Sequence, residues 1–298
     1  MKVCGVLGSP NAGGALSGVL PKKLRTDEAG VGVCADSSAA SEALCDEPAA
    51  PPEAPCEEPD SVTRSDVSMI IATVPWRAQS LNRLLREVAQ QTIRPGHLHV
   101  LLDGHRGSWP EGLRFVEWPG LTLHVHRVVP ARGAGARWRL AETFCGGTII
   151  VNLDDDIRIS TRFVEKHVKA VERTGGAVSS GGYTASGRMI ICTQQDPYDG
   201  PLLCAQTGAF SMLAADVRGL SLEPMADRLL GLLGDDEGLL SMHLWKSGVL
   251  ISRVPETVGF DPSADDKRSQ WGSAPGRCHK LRTALRELTG WPWNDTWC

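Results

Sequence analysis

The sequence contains no apolar run as long as the roughly 18–20 residues that a membrane-spanning helix requires, and we therefore predict no transmembrane segment. It also lacks a basic excess, since residues 1–64 hold 5 Lys and Arg against 10 Asp and Glu, which leaves 26 basic and 25 acidic residues for the rest of the chain. A nearly neutral body argues against a nucleic-acid partner, because non-specific binding to nucleic acid needs clustered positive charge.

The first part of the chain lacks paired cysteines. Four of the nine cysteines lie there without a CxxC spacing, which argues against a zinc knuckle. Gly, Ser, Pro10 and Asn11 interrupt any apolar core of a signal peptide. We therefore expect reduced thiols and a cytoplasmic location.

A low-complexity segment from Gly13 to about Ser65 is rich in Ala, Gly, Ser, Pro and Glu and includes DEPAAPPEAPCEEPD. Such a composition cannot bury enough apolar area to offset chain entropy. We predict that residues 1–66 form a disordered acidic arm and that residues 67–298 form one folded domain.

Strand and helix patterns alternate after residue 67. The run VSMIIAT is a buried strand, and Ser80 is the expected N-cap of a helix with an apolar stripe that ends at Pro95-Gly96. Further strands are predicted at 97–102, 121–129 and 148–153, and a helix at 161–173. This alternation is typical of an α/β fold with a mostly parallel, doubly wound sheet flanked by helices, whose ligands bind at the carboxyl ends of the strands.

An acidic triplet, Asp154-Asp155-Asp156, follows the buried strand IIVNL. Adjacent carboxylates repel one another unless a cation, a basic partner or solvent relieves them. Asp154 and Asp156 can each send an oxygen to a hard divalent cation, but a solvated turn explains the triplet equally well. A haloacid-dehalogenase-type phosphatase fits poorly, because Arg158 occupies the place of its Thr or Val and its later GDxxxD motif is absent.

A second acidic cluster, GDDEGLLSMHLWKSG, places Asp235, Asp236 and Glu237 before an apolar helical pattern. Acids at a helix start interact favourably with the helix dipole, so a purely structural role is one interpretation. A catalytic base is the other.

Together these motifs resemble those of GT-A-fold nucleotide-sugar glycosyltransferases of the family-2-like group, over about residues 68–260. The matching segments are IIATVPWR, AQQTIRPGHLHVLLDG, GAGARWRLA, the strand with its DxD triplet, TGAFSML and DDEGLLSMHLWKSGV. The resemblance implies a Rossmann-like GT-A sheet and an inverting transfer of a sugar from a nucleotide diphosphate donor to a hydroxyl acceptor on a glycan, lipid or protein.

The resemblance also implies where the donor binds. Thr73, Pro75 and Arg77 would line its base and diphosphate, and Asp103 would hydrogen-bond the edge of the base. The loop around Gly133 and Gly135 would bring its flanking guanidinium groups to the diphosphate, and these belong to Arg132 and Arg137.

Metal and base positions follow from the same resemblance. Asp154 and Asp156 would hold Mn²⁺ or Mg²⁺ against the diphosphate, and His279 would be an additional ligand. Asp236 or Glu237 would take the proton of the acceptor hydroxyl. Relatives usually carry Asp at the second of these positions, so which acid acts is open.

Two alternative functions remain. A sugar nucleotidyltransferase would favour a glycine-rich basic loop after the first strand, which VPWRAQS lacks. A non-catalytic nucleotide-sugar-binding module would keep the fold without the chemistry. Four of the nine tryptophans fall in the last 28 residues, where we favour aromatic anchors over an acceptor platform. His97, His99, His124 and His126 are interpreted as ordinary sheet residues.

Overall fold

A computed structural model describes residues 61–104, 112–129, 133, 135–141, 148–191, 195–205, 208–220, 236–256, 258–261, 282–283, 285–287 and 289–292. Residues 1–60 of the predicted arm lie outside the described residues. The first strand begins at Val62, so the folded part starts inside the range that we assigned to the arm.

The described residues include thirteen strands and four α-helices, and further helical residues lie between 282 and 289. The strands are β1 (Val62–Thr73), β2 (Ile93–Asp103), β3 (Thr122–Val128), β4 (Ile149–Asp154), β5 (Ile157–Arg158), β6 (Ala177–Ser179), β7 (Gly182–Tyr183), β8 (Met189–Ile190), β9 (Pro201–Leu202), β10 (Cys204–Ala205), β11 (Ala209–Leu213), β12 (Ile251–Arg253) and β13 (Gly259–Phe260). The helices are α1 (Ala78–Ala89), α2 (Ala136–Ala141), α3 (Phe163–Thr174) and α4 (Asp236–Lys246), with 3₁₀ turns at Pro75–Arg77 and Ala214–Val217.

The central sheet has eight strands in the order β3-β2-β1-β4-β11-β6-β12-β9. Neighbours from β3 to β4 are parallel, as are β6 and β12, whereas β11 runs antiparallel to both of its neighbours. The predicted α/β fold with a mostly parallel sheet is confirmed. Parallel pairing brings the ends of β1, β2 and β4 to one edge, and these ends are Thr73, Asp103 and Asp154.

The first helix packs as predicted but begins earlier. Its apolar stripe from Leu81 to Val88 is buried. Ser80 is not the N-cap, because the 3₁₀ turn at Pro75–Arg77 leads straight into a helix that starts at Ala78. The expected stop at Pro95-Gly96 is also wrong, since both residues lie in β2. There β1 and β2 approach closely, and a Cβ on Gly96 would lie 2.6 Å from the Ser65 Cα.

Helices cover both faces of the sheet. One apolar cluster joins α1 and α3 to the sheet face that carries Met69 and Ile71. Another joins α2 and α4 to the opposite face, which carries Ile70 and Ala72. Trp291 is fully buried in this second cluster, in agreement with the aromatic-anchor interpretation, whereas the other three C-terminal tryptophans lie outside the described residues.

No helix in the described part of the chain combines the length and the apolar character needed to span a bilayer.

Candidate functional site

The acidic triplet at the end of β4 divides into one buried and two accessible carboxylates. The Asp155 side chain is 3% exposed, whereas those of Asp154 and Asp156 are 37% and 29% exposed. The outer two acids therefore face solvent on either side of a buried one. This is the arrangement that the DxD spacing predicts for a pair of metal-binding carboxylates.

The middle acid is bonded to the elements that follow β1. The Thr73 hydroxyl donates to Asp155 Oδ2 at 2.6 Å, and Arg77 Nη1 donates to Asp155 Oδ1 at 2.7 Å. The Ser80 hydroxyl donates to the Asp155 carbonyl at 2.6 Å. Asp155 thus ties β4 to the end of β1 and to the first turn of α1, and its role is structural.

Asp156 lies in a turn that is fixed from two sides. Arg77 Nη1 lies 3.1 Å from its Oδ2, and the Asp261 amide donates to its carbonyl at 2.7 Å. Arg83 supports the same turn by donating to the Asp261 carboxylate and to the Ile157 carbonyl. Burial, followed by the negative charges of its two neighbours in the triplet, raises the pKa of Asp156 to about 6, although the Arg77 guanidinium opposes this shift.

Asp154 contacts a buried guanidinium. Arg137, in α2, is 1% exposed, and its Nη1 donates to Asp154 Oδ1 at 2.8 Å and to Asn152 Oδ1 at 2.7 Å. Its guanidinium also lies 5.7 Å from the centroid of the Trp138 ring. The structure therefore places this arginine against a carboxylate of the triplet, where it orients Asp154.

Gly208 contacts both predicted acidic clusters. Its carbonyl accepts from the Asp154 amide at 2.8 Å, and its own amide donates to Glu237 Oε1 at 2.5 Å. A Cβ at Gly208 would lie only 2.2 Å from Asp154 Oδ2. The first acidic motif and the helix-start motif, far apart in sequence, therefore meet at one glycine.

The remaining predicted residues lie on the same edge or outside the described part. Pro75 is the first residue of the 3₁₀ turn after β1. Asp103 ends β2, and its Oδ2 accepts from the Gly133 amide at 2.9 Å. Asp236 is the first residue of α4. Arg132 and His279 lie outside the described residues.

The donor atoms at this edge suit a hard divalent cation. Asp154 and Asp156 offer accessible carboxylate oxygens, the ligand type that Mn²⁺ and Mg²⁺ prefer, and Gly208 lets the Asp154 side chain occupy space that a Cβ would fill. Within the described ranges, no group of three or more His, Cys, Asp or Glu side chains is placed to hold a metal ion. A cation held by these two acids would take its other ligands from phosphate and water.

Sequence reasoning missed three contributors to the site. The burial of Asp155, its bond from Ser80 and the contacts of Gly208 all depend on segments that are distant in sequence. The only available signal for Gly208 was the small residue in TGAFSML, directly before a strand.

A second group of ionisable side chains lies on β2 and β3, and we call it the histidine array: His97, His99, His124 and His126. The rings of His99 and His124 stack with centroids 4.3 Å apart, and His99 Nδ1 lies 3.2 Å from His126 Nε2. Burial, and then the neighbouring rings, lower the pKa of His99 to about 2 and that of His126 to about 4. These two rings are therefore neutral at physiological pH.

Neither the protein-family models nor the curated proteins include a match to this chain. Solved structures do match it. The GalNAc-T7 structure with UDP, GalNAc and Mn²⁺ aligns with a TM-score of 0.53 at 16% identity, covering 74% of this chain and 47% of that chain. The S. aureus TarS 1–349 complex with UDP-GlcNAc aligns with a TM-score of 0.52 at 12% identity, covering 78% of this chain and 68% of that one.

The chain thus spans about half of the GalNAc-T7 chain. At such low identities the likeness bears on the fold alone. This chain has the GT-A fold of the nucleotide-sugar glycosyltransferases.

Proposed function

We propose that the protein is a metal-dependent, inverting glycosyltransferase that moves a sugar from a nucleotide diphosphate donor to a hydroxyl acceptor. One observation carries the proposal: Asp154, an accessible carboxylate of the DxD triplet, and Glu237, an acid of a helix N-terminus, contact the same glycine. In a metal-dependent transfer, a cation stabilises the departing diphosphate and a base takes the proton of the hydroxyl, and this edge of the sheet offers candidate residues for both.

The donor would bind along the ends of the parallel strands. Thr73 ends β1, Pro75 and Arg77 follow it, and the three would line the base and the diphosphate. Asp103 ends β2 and would accept a hydrogen bond from the base. Arg132 would add positive charge for the diphosphate, whereas Arg137 would act through Asp154, because its guanidinium is buried against that carboxylate.

Asp154 and Asp156 would hold Mn²⁺ or Mg²⁺, with His279 as a further candidate ligand. Such a cation, when bound, neutralises the negative charge that develops on the departing nucleotide diphosphate. The guanidinium groups of Arg77 and Arg137 keep the two carboxylates in place.

The pair Asp236 and Glu237 would supply the general base. One of these carboxylates takes the proton of the acceptor hydroxyl. At the same time the hydroxyl oxygen bonds to the anomeric carbon, and the bond from that carbon to the diphosphate oxygen breaks. Attack on the face opposite the diphosphate inverts the anomeric configuration. The Gly208 amide fixes one oxygen of Glu237.

A donor-hydrolysis screen across UDP-sugars and other nucleotide sugars, with Mn²⁺, tests the proposal. We expect turnover that requires the cation and that falls at least about a hundredfold in Asp156→Ala, because loss of a group that merely supports a metal ligand already costs about 10–100-fold. Asp199→Ala, at an exposed aspartate between β8 and β9, is the matched control and should keep full turnover.

Equal turnover with a chelator present would contradict metal dependence. Cation-dependent binding of UDP without any turnover would instead favour a nucleotide-sugar-binding module, and release of UTP from a UDP-sugar with pyrophosphate would favour a nucleotidyltransferase. Once a substrate pair is found, NMR of the product's anomeric proton reports whether the configuration is inverted. The cytoplasmic location stays a prediction.

A further inference from the structure

The backbone conformation of Gly208 is set by the strand that follows it. Ala209 begins β11 and pairs with Leu153 of β4, so that Gly208 stands beside Asp154. The hydrogen bond from the Asp154 amide to the Gly208 carbonyl, at 2.8 Å, extends this antiparallel ladder by one step. Gly208 has a φ of +59°, a left-handed conformation in which glycine is strongly favoured.

The space that a side chain at Gly208 would need is occupied by Asp154. A Cβ would lie 2.2 Å from Asp154 Oδ2, 2.4 Å from its Cγ and 2.7 Å from its Cβ. No rotation of the Asp154 carboxylate alone relieves these contacts, because the Asp154 Cβ is among them. Any larger residue at this position would therefore move the whole side chain of a proposed metal ligand.

The amide side of the same segment is held by α4. Gly208 donates to Glu237 Oε1 at 2.5 Å, and the Ala205 amide donates to Ser241 Oγ at 3.0 Å. Glu237 and Ser241 are four residues apart and so lie on one face of the helix. The first turns of α4 are therefore anchored to the backbone that precedes β11.

We propose that Gly208 is a positioning residue that fixes the metal-binding carboxylate of Asp154 relative to the acid-bearing start of α4. The inference rests on the proposed function and adds to it a residue that touches neither substrate nor cation. Because one glycine contacts both groups, a change at Gly208 would shift two things together: the Asp154 carboxylate that would hold the cation, and the helix that would supply the base.

Gly208→Ala tests this inference against Gly175→Ala. Gly175 ends α3 with a φ of +63°, and a Cβ there would meet no atom within 4 Å. Both variants carry the same backbone strain, but only the change at Gly208 displaces Asp154. Calorimetric titration of UDP in the presence of Mn²⁺ measures the site without requiring turnover.

We expect Gly208→Ala to weaken Mn²⁺-dependent UDP binding about tenfold or more, the range seen when the support of a metal ligand is lost. The kcat for donor hydrolysis should fall as well. Gly175→Ala should bind UDP as the wild type does, and its loss in Tm should be the smaller of the two, because its Cβ meets no atom within 4 Å. Equal UDP affinity in both variants would overturn the inference while leaving the proposed function intact.

A second pair of variants covers the case in which Gly208→Ala does not fold. Glu237→Gln keeps an oxygen that accepts from the Gly208 amide, whereas Glu237→Ala removes it. The inference requires weaker Mn²⁺-dependent UDP binding in Glu237→Ala than in Glu237→Gln, and equal affinities would overturn it. If the wild type binds no UDP with Mn²⁺ and turns over no donor, the proposed function fails, and the inference fails with it.

Discussion

The acidic triplet and the histidine array are two groups of closely spaced ionisable side chains on one sheet. They differ in how the charge of these side chains is compensated or avoided. Two guanidinium groups offset most of the negative charge of the triplet, where Arg77 contacts Asp155 and Asp156 and Arg137 contacts Asp154. In the histidine array, burial keeps the inner rings of His99 and His126 uncharged instead. One region is a charged cluster, and the other is a neutral stack.

The difference shows in the directions of the pKa shifts. Burial disfavours the charged form in both regions, so it raises the pKa of Asp156 and lowers that of His99. The charged form of an acid is its deprotonated form, whereas that of a histidine is its protonated form. A nearby arginine or a bound cation stabilises the charged form of Asp156. The three neighbouring rings have the opposite effect on His99, because they disfavour its charged form.

The largest expected effect is on the free energy of unfolding, which should fall more when the middle acid of the triplet is replaced than when an outer acid is. Asp155→Ala removes the buried partner of Arg77 and should lower the free energy of unfolding by about 3 kcal/mol, the usual loss when one member of a buried ion pair is deleted. Asp156→Ala should lower it by no more than about 1 kcal/mol, because the Asp156 side chain is partly exposed. Urea denaturation of chelator-treated protein measures both changes.

Equal losses in these two variants would show that the triplet is a single charged patch. The buried position of Asp155 would then have no special structural role, and the division into one structural and two accessible acids would be wrong.

Local patterns predicted the sheet and the strand ends. The apolar runs that end at Thr73, Asp103 and Asp154 could be read from the sequence, and parallel pairing then brings these residues to one edge. The DxD spacing also indicated which two acids are accessible. Each of these features depends on neighbours within one strand or one turn.

Features that depend on distant pairing could not be predicted. Ser80 fits the pattern of an N-cap, but its hydroxyl bonds the Asp155 carbonyl 75 residues away. Pro95 and Gly96 resemble a helix stop, but they lie in β2 where β1 comes close. In each of the two HxH segments, the alternation predicts that both histidines lie on the same face of the sheet. The stacking of His99 on His124 could not be predicted, because it follows from the register between β2 and β3.

An intermediate effect is expected from acid titration of the histidine array. The folded-state pKa of His99 is about 2, below the 6.5 of an unfolded chain, so its contribution to stability is complete above pH 6.5 and is lost as the pH falls below it. The loss is about 1.4 kcal/mol per pH unit, or about 2 kcal/mol between pH 6.5 and pH 5. His99→Phe should remove this part of the pH dependence.

Unfolding free energies of wild type and His99→Phe at pH 7, 6 and 5 measure the difference in slope. His167, buried between Ser180 and Ser211 with a pKa lowered to about 3, contributes a loss of the same sign, but it is present in both proteins. Parallel slopes would mean that His99 is protonated in the folded chain, and the array would then be a charged cluster like the triplet.

The smallest expected effect concerns single hydroxyl groups beside these two regions. Ser80 and Ser68 are both buried, but the Ser80 hydroxyl bonds the Asp155 carbonyl, whereas Ser68 Oγ has no hydrogen-bond partner among the described residues. Ser80→Ala should cost about 1 kcal/mol, since it leaves a buried carbonyl without that donor. Ser68 lies on the strand beside His97. Ser68→Ala should leave the stability unchanged or raise it slightly, because it removes a buried hydroxyl that forms no hydrogen bond with the described residues. Urea denaturation of the two variants at pH 7 compares their free energies of unfolding. If Ser68→Ala lowered this free energy as much as Ser80→Ala, the Ser68 hydroxyl would have to be hydrogen-bonded, and the contrast between the two regions would be wrong.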